Sequence, residues 1–336
     1  MRKKIFAALG LIILIIALCL IFNNKLTSVT RSGLAMNTLI RITLESFNKS
    51  EADLNKILDD AFDYIKIFES QVSLYDTNSQ INKINNMAGV EPVKVSPDVI
   101  ELVKKSVEIN NLTGKIFNPL IGPLTKLWNI NQVDKNDFKL PESASIDKAL
   151  EFLDINIISL DLANQEIYLS KAGAVLDFGG IAKGFASRKL ADKFLSLGIE
   201  RALINLGGNI QVVGDNWNIG IRDPLDKNKI ALKIKVNNQA VITSGAYERF
   251  KIINGIKYSH FFDPRTGMPV KNKLLSASLI IEDGALADAL ATSFMIMGDD
   301  EAQKFLAGHE DLNAVLIIEE DNNNKIKIIE TGKIFR

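Results

Sequence analysis

Cysteine and histidine are nearly absent from this 336-residue chain, which has one cysteine, Cys19, and two histidines, His260 and His309. A disulfide framework needs paired cysteines, and structural zinc sites use cysteine and histidine ligands. The composition therefore leaves almost no room for either kind of site. A metal ion in this chain would be held by oxygen ligands, which favours magnesium or calcium.

An excess of charge of one sign is also missing, because 40 acidic side chains balance 40 lysines and arginines. This balance gives no support for a nucleic-acid-binding surface. Three common catalytic or nucleotide-binding motifs are absent as well: the P-loop, the G-x-G-x-x-G fingerprint and the G-x-S-x-G nucleophile elbow. The length suits one large domain or two ordinary ones.

The N-terminus carries three basic residues followed by an uncharged run, Ile5 to Phe22. The run is long for a cleaved signal peptide and near the lower limit for a membrane-spanning helix. Leu18 precedes Cys19, where a lipoprotein signal requires a small residue, so an uncleaved anchor is favoured over lipidation. Because the basic end stays in the cytoplasm, the rest of the chain is expected on the outer side of a bacterial cell membrane.

These patterns divide the chain into a signal anchor or signal peptide (1–22), a polar linker (23–33) and one domain (34–336). Several hairpin patterns mixed with a few helical ones predict an α+β fold with mixed or antiparallel sheets and flanking helices. A strand is predicted from Leu34 to Leu44, a loop from Thr113 to Trp128 and another strand from Leu274 to Ile281.

The densest stretch runs from Gly173 to Gly214. A short buried strand is predicted at Ala174 to Phe178, then a turn at Gly179-Gly180 and a helix that begins at Ala182 and ends at Gly198. Asp177, Lys183 and free backbone N–H groups at a helix start suit a phosphorylated ligand and its metal. The alternative is a β-α-β unit whose glycines only form turns.

Two further features suggest chemistry. A helix is predicted from Gly284 to Met297, and Asp288 and Thr292 lie one turn apart on it. With a backbone carbonyl they could hold one hard cation, or they could be a capping or surface pair. His260 precedes the turn Asp263 to Gly267 and could either titrate near neutral pH or have a structural role.

Eight segments in order resemble the ApbE family, the FAD:protein FMN transferases. The resemblance extends from about residue 34 to about residue 307. The segments are AMNT (35–38), SLYDTNSQINKIN (73–85), TGKIFNPLIGPLTKLW (113–128), LDFGGIAKGFA (176–186), INLGGNI (204–210), TSGAYER (243–249), YSHFFDPRTGMPV (258–270) and ADALATSFMIMG (287–298).

The resemblance implies a T-fold-like ApbE body with FAD in a cleft, behind the N-terminal membrane segment. It implies magnesium-dependent transfer of FMN from FAD to a Ser or Thr hydroxyl of a target protein, with release of AMP. The partner would be an extracytoplasmic flavin-accepting redox protein. Two alternatives remain open at this point: an FAD pyrophosphatase that releases FMN and AMP, and a flavin-binding lipoprotein without catalysis.

Site residues follow from the same resemblance. The implied catalytic residues are His260 as general base, with Asp263 and Arg265 shaping its loop. Magnesium would be held by the carbonyl of Gly180 and the side chains of Asp288 and Thr292. The implied FAD-binding residues are Met36, Tyr75, Ile116, Phe117, Asn118, Asp177, Lys183 and Val270.

The chain departs from the family pattern at two places. Asn37 stands where glycine is usual in AMNT, and Lys115, Ile116 and Asn118 replace the usual residues of T-G-G-A-F-D-P. These departures concern the predicted nucleotide pocket and leave the predicted metal ligands and His260 unchanged.

Overall fold

The protein is described here from a computed structural model that covers residues 25–130, 140–226, 228–253, 255–320 and 325–336. The helices are α1 (Glu51–Val72), α2 (Gln80–Asn86), α3 (Pro97–Leu112), α4 (Gly122–Trp128), α5 (Ser143–Leu150), α6 (Ala182–Ser196) and α7 (Gly284–Ala307). The strands are β1 (Thr27–Ala35), β2 (Thr38–Ser46), β3 (Val93–Lys94), β4 (Ile158–Asp161), β5 (Glu166–Leu169), β6 (Arg201–Leu206), β7 (Asn209–Val213), β8 (Trp217–Arg222), β9 (Ile230–Val236), β10 (Ala240–Gly245), β11 (Phe250–Ile253), β12 (Ile256–Ser259), β13 (Leu274–Ile281), β14 (Asn313–Glu320) and β15 (Lys325–Thr331).

An eight-stranded sheet organises the domain, in the order β1-β2-β6-β7-β10-β13-β14-β15. Three smaller sheets, β3-β5-β4, β8-β9 and β11-β12, flank it. Every strand pair in the described ranges is antiparallel. The predicted α+β class is confirmed, and its sheets are antiparallel rather than mixed.

Both faces of the central strands are covered. On β10, Ile242 packs in a core with Phe294 of α7, while the neighbouring Val241 packs with Ile234 of the β8-β9 sheet. Because successive side chains of a strand point to opposite faces, a strand covered on both sides needs a continuous apolar run. This requirement explains the composition of β13, whose predicted bounds are confirmed.

Helix α7 continues beyond its predicted end at Met297. It begins after Asp283, whose side chain accepts hydrogen bonds from the backbone nitrogens of Ala285 and Leu286. Its backbone leaves the helical conformation at Gly298 (φ 78°, ψ −177°), so a second helical segment follows there. The predicted end therefore coincides with this interruption.

The predicted linker 23–33 is wrong over most of its length, because β1 begins at Thr27. The strand lies at the edge of the sheet and alternates between half-buried and exposed positions, so its composition resembles that of a linker. The single strand predicted from Leu34 to Leu44 is likewise two strands. They are joined by a tight turn at Met36 and Asn37, which both have positive φ (51° and 57°).

The strand predicted at Ala174 to Phe178 is wrong, although the segment is buried. A side chain takes the place of a neighbouring strand: Asn85 accepts a hydrogen bond from the nitrogen of Leu176 and donates to its carbonyl (2.7 and 3.2 Å). Without a strand before α6, the β-α-β alternative is wrong too. The predicted loop 113–128 also contains α4.

No helix within the described ranges is long and apolar enough to cross a membrane. The predicted signal segment 1–22 lies outside the described residues. Within the described ranges, β11 and β12 pair with Ile253 opposite Ile256.

Candidate active site

A cleft of about 500 Å³ is lined by segments from almost the whole length of the domain. A volume of this size accommodates an organic ligand of several rings. Eleven predicted site residues line it: Met36, Tyr75, Ile116, Phe117, Asn118, Asp177, Gly180, Lys183, His260, Asp288 and Thr292. The fold thus brings together residues that are separated by up to 256 positions in the sequence.

Asp288 caps the N-terminal turn of α6. Backbone N–H groups in the first turn of a helix have no partner within the helix. The nitrogen of Gly184 donates to Oδ2 of Asp288 (2.9 Å), and this carboxylate is only 3% exposed. The capping alternative considered for Asp288 is therefore correct for one of its oxygens. The other oxygen, Oδ1, has no hydrogen bond to any described residue.

Gly180 and Thr292 lie against each other beside this carboxylate. A Cβ atom added to Gly180 would be 3.0 Å from Oγ1 of Thr292. The free oxygen of Asp288, the hydroxyl of Thr292 and the nearby main chain of Gly180 form an all-oxygen donor set, which suits a hard cation such as Mg²⁺. No cluster of three or more His, Cys, Asp or Glu side chains suited to a metal exists in the described part of the chain. A cation here would thus have few protein ligands and keep further positions for a bound molecule.

Asp177 and Lys183 flank the same helix start. The carboxylate of Asp177 accepts hydrogen bonds from Oγ1 of Thr125 (2.8 Å) and from the nitrogen of Gly179 (2.9 Å), which fix its orientation. Lys183 is half-buried, and its ammonium makes no ion pair or hydrogen bond with the described residues. An unpaired cation in a cleft attracts an anionic ligand.

Backbone and side-chain hydrogen bonds hold the segment 116–118. Asn110 donates to the carbonyl of Phe117 (2.7 Å), and the nitrogen of Phe117 donates to Thr113 (3.0 Å). The side chain of Asn118 donates to the carbonyl of Leu153 (2.8 Å) and accepts from the nitrogen of Leu120 (2.9 Å). Its amide nitrogen and oxygen therefore each have a partner within the protein, and these bonds fix the side chain in the cleft wall.

His260 presents one free ring nitrogen. Its Nδ1 lies 2.8 Å from the carbonyl oxygen of Arg249. A carbonyl can only accept, so Nδ1 carries the hydrogen and Nε2 of the neutral ring keeps its lone pair. Burial lowers the pKa of His260 to about 4, and the cations of Arg249 and Lys183 act in the same direction. The ring is therefore neutral at physiological pH and can accept a proton at Nε2.

Asp263 and Arg265, which were expected to shape the loop of His260, do not line the cleft, and neither does Val270. Arg265 binds both oxygens of Asp263 (2.9 and 3.1 Å from Nε) and both oxygens of Glu301 through NH1. The nitrogen of Val270 donates to the carbonyl of Phe261 (2.9 Å). These contacts hold the loop that follows His260 in a closed conformation. Asp263, Arg265 and Val270 can therefore affect the site without lining the cleft.

Other cleft residues were not singled out from the sequence as ligand contacts. They include Thr38, Thr125, Asn209 and Glu248. Partial burial raises the pKa of Glu248, and the nearby Lys183 opposes that shift. Only Asn209 carried a usable signal, since it directly follows the glycine pair 207–208 in a stretch already associated with phosphate binding.

The fold and the cleft together describe an α+β protein with a cleft in which oxygen donors around Asp288, the ammonium of Lys183 and the neutral ring of His260 face one space. The sequence model of the ApbE family matches residues 36–316. The chain belongs to the ApbE family.

Relatives of known activity are similar over most of their length. The FAD:protein FMN transferase of Klebsiella pneumoniae is 32% identical over 277 residues, which are 82% of this chain and 85% of the relative. That of Treponema pallidum is 31% identical over 307 residues, which are 86% of this chain and 84% of the relative.

Solved structures show the same fold. The flavin transferase ApbE from Vibrio cholerae superimposes with a TM-score of 0.80 at 25% identity, covering 91% of this chain and 98% of that one. The ApbE protein from Thermotoga maritima gives a TM-score of 0.80 at 26% identity, covering 91% and 97%.

Proposed function

We propose that this protein is an FAD:protein FMN transferase that attaches FMN to a serine or threonine hydroxyl of another protein. The observation that carries the proposal is the convergence in one cleft of a neutral His260 with a free Nε2, an unpaired Lys183 and the oxygen donors around Asp288. The activity of the relatives from Klebsiella pneumoniae and Treponema pallidum supports flavin transfer from FAD to a protein.

The reaction exchanges one bond at phosphorus for another. The acceptor hydroxyl oxygen attacks the phosphorus of the FMN half of FAD, and the bond between that phosphorus and the bridging oxygen breaks. AMP leaves with the bridging oxygen. The hydroxyl proton passes to Nε2 of His260, while Nδ1–H remains bonded to the carbonyl of Arg249. The proton is then released to water, and the product is a phosphoester.

Charge at the pyrophosphate is offset from two directions. Lys183 places an ammonium at the start of α6, where the helix dipole also favours anions. Asp288, Thr292 and the carbonyl of Gly180 would hold magnesium, which when bound supplies positive charge beside the phosphate oxygens. Phosphoryl transfer depends mainly on positioning and on neutralising charge, and these residues are suited to both.

The remaining predicted contacts concern the rings of FAD. Met36 and Tyr75 lie at the cleft wall with Ile116 and Phe117, and they offer apolar and aromatic surface to a planar ring. Asp177 offers acceptor oxygens to hydroxyl or amino groups of the nucleotide. Val270 would act through its loop rather than by contact.

We further propose that the acceptor is a redox protein outside the cytoplasm. The support is the basic N-terminus followed by the uncharged run Ile5 to Phe22, which would keep the chain at the cell membrane with its domain on the outer side.

A test incubates the purified protein with FAD, magnesium and a flavin-accepting domain. The expected result is an acceptor that gains the mass of one FMN and an equal amount of AMP in solution. Free FMN and AMP without an adduct would instead identify an FAD pyrophosphatase. Bound but uncleaved FAD would identify a flavin-binding protein without catalysis.

A further inference from the structure

The side-chain amide of Asn209 is a donor in the cleft wall that the protein leaves without a partner. Asn209 lines the cleft and is 4% exposed. Its Nδ2 has no hydrogen-bond partner among the described residues. Buried donors nearly always have partners, so an unpartnered donor that also lines a ligand cleft is placed to bond to an acceptor of the ligand.

The neighbouring Gln211 fixes where this donor lies. Gln211 is two residues further along β7 and faces the same side of the sheet. A Cβ atom on Gly284 would be 2.6 Å from the carbonyl oxygen of Gly184, 2.8 Å from Oε1 of Gln211 and 3.1 Å from Oγ of Ser187, so Gln211 lies beside the first two turns of α6. Asn209 is two residues, about 6.8 Å, further back along the strand.

The chain direction places Asn209 at the start of α6. The short connection 197–200 reverses the chain between α6 and β6, and β6 is antiparallel to β7, so β7 runs in the direction of α6. A step back along β7 therefore corresponds to about one turn back along α6, from Ser187 towards Lys183. This agrees with the presence of Asn209, Lys183 and Gly180 in the same cleft.

The turn before Asn209 holds it in place. The nitrogen of Gly208 donates to Oδ1 of Asn205 (2.8 Å), and Asn209 pairs with Leu206 across the β6-β7 hairpin. A Cβ atom on Gly207 would be 2.2 Å from Oγ1 of Thr38, so the turn packs tightly against the β1-β2 hairpin. The amide is thus carried on a fixed strand end, and such a donor needs little reorganisation when a ligand binds.

We propose that Nδ2 of Asn209 donates a hydrogen bond to a phosphate oxygen of the FAD pyrophosphate, beside Lys183. This inference rests on the proposed function, because it takes FAD as the ligand. Lys183 and the first turn of α6 already favour an anion at this point, and a phosphate oxygen is the acceptor that such a ligand presents. Asn209 is then a binding residue for the pyrophosphate and takes no part in proton transfer.

The test measures the affinity of the full chain for FAD and for riboflavin, which lacks phosphates, in the presence of magnesium. Asn209→Ala is expected to weaken FAD binding about tenfold to a hundredfold, as for the loss of a hydrogen bond to a charged group. Asn209→Asp, which keeps the size of the side chain, is expected to weaken it further. Riboflavin binding should be unchanged. Gln211→Ala is the matched control on the same strand face, and it should leave FAD affinity unchanged.

Thermal unfolding without ligand gives a second readout. Because the orphan donor is removed, Asn209→Ala should not lower the midpoint. Wild-type FAD affinity in both Asn209 variants, or an equal loss of riboflavin binding, would overturn this inference alone. A wild-type protein that does not bind FAD would overturn the proposed function, and this inference with it.

Discussion

The backbone nitrogen of Gly184 and the carboxylate of Asp288 are joined by a hydrogen bond of 2.9 Å. It links the first turn of α6 to the second turn of α7, and it sets which oxygen of Asp288 remains free in the cleft. The helices approach closely enough for this contact because Gly184 and Gly284 face each other. A Cβ atom on Gly184 would lie 2.1 Å from the carbonyl oxygen of Gly284. The geometry of the candidate cation site therefore depends on the packing of the two helices.

Gly184→Ala is expected to destabilise the protein by about 1–3 kcal/mol, because the added methyl group forces α6 and α7 apart. Urea unfolding measures this change. Gly308→Ala is the control, since its Cβ would meet nothing nearer than 3.5 Å and its φ is −87°. That variant should differ from wild type by less than about 1 kcal/mol. Equal stability of the two variants would contradict the proposed role of the close helix packing.

Asp288→Asn is expected to remove the response to magnesium while the fold is kept. The asparagine still offers an oxygen to the nitrogen of Gly184, but it loses the charge that a divalent cation requires. At a magnesium concentration one hundred times the Kd, wild type should gain about 2.7 kcal/mol of stability, and the variant should gain almost none.

Asp283→Asn is the matched control for this experiment. Asp283 also caps a helix, and it forms an ion pair with Lys105 outside the cleft. Asparagine is an equally good cap, so the magnesium response should remain. Loss of that response in Asp283→Asn as well would indicate a general effect of acidic residues on cation binding.

His260→Gln is expected to lower the rate of FMN transfer by about 10²–10⁴, the range for removal of a general base. Binding of FAD should change little. His309→Gln is the control, because Nδ1 of His309 also lies 2.8 Å from a backbone carbonyl, that of Phe305, but its ring does not line the cleft. The two histidines thus differ in location rather than in local bonding. Similar rates for wild type and His260→Gln would exclude His260 as the base.

The pH dependence should follow from the low pKa of His260. The folded value of about 4 lies below the ordinary value of 6.5, so between these pH values the unfolded chain binds more protons than the folded one. The contribution of His260 to stability is therefore complete above about pH 6.5 and is lost as the pH falls towards 4. Transfer activity should not show an acid limb near pH 6.5.

The check compares kcat/KM and the free energy of unfolding from pH 4.5 to 8 in wild type and His260→Gln. Stability should fall less steeply with acidity in the variant, because glutamine does not titrate. An acid limb of wild-type activity near pH 6.5 would show that the free ring titrates normally.

Elements with a strong apolar pattern could be predicted from the sequence, and those held by single side chains could not. Both faces of β13 are buried, so the strand is a continuous apolar run, and the two ends of that run predicted the bounds of the strand. The segment before α6 is equally apolar, but Asn85 occupies the place of a partner strand, and no local pattern shows a contact over 91 residues. β1 was missed for the opposite reason, since an edge strand with one exposed face has the polarity of a linker.

The features of the candidate site also fall into two groups: those that the sequence could predict and those that only the fold shows. Asp288 and Thr292 were singled out by their helical spacing and His260 by its place before a turn, and the family resemblance then assigned them roles. The capping of α6 by Asp288 depends on how α6 and α7 meet, so it became visible only in the fold. Asn209 was missed although it follows the glycine pair 207–208, because only the fold shows that its amide lines the cleft and lacks a partner.

The last prediction concerns Arg265, which was expected to shape the loop of His260 and lies outside the cleft. Its guanidinium binds Asp263 and Glu301, and its side chain is 49% exposed. Exposed ion pairs contribute about 0–1 kcal/mol, so Arg265→Ala should cost little stability. If Arg265 only closes the loop after His260, Arg265→Ala should raise KM for the acceptor and leave kcat within about fivefold. Loss of a group that stabilises the transition state would instead lower kcat by about 10²–10³.

Glu301→Gln is the matched control, because it weakens the outer contact of Arg265 and keeps the arginine. A smaller change in the same direction would support the loop-closing role, whereas a hundredfold loss of kcat in Arg265→Ala with no effect of Glu301→Gln would show that the guanidinium reaches the reacting groups.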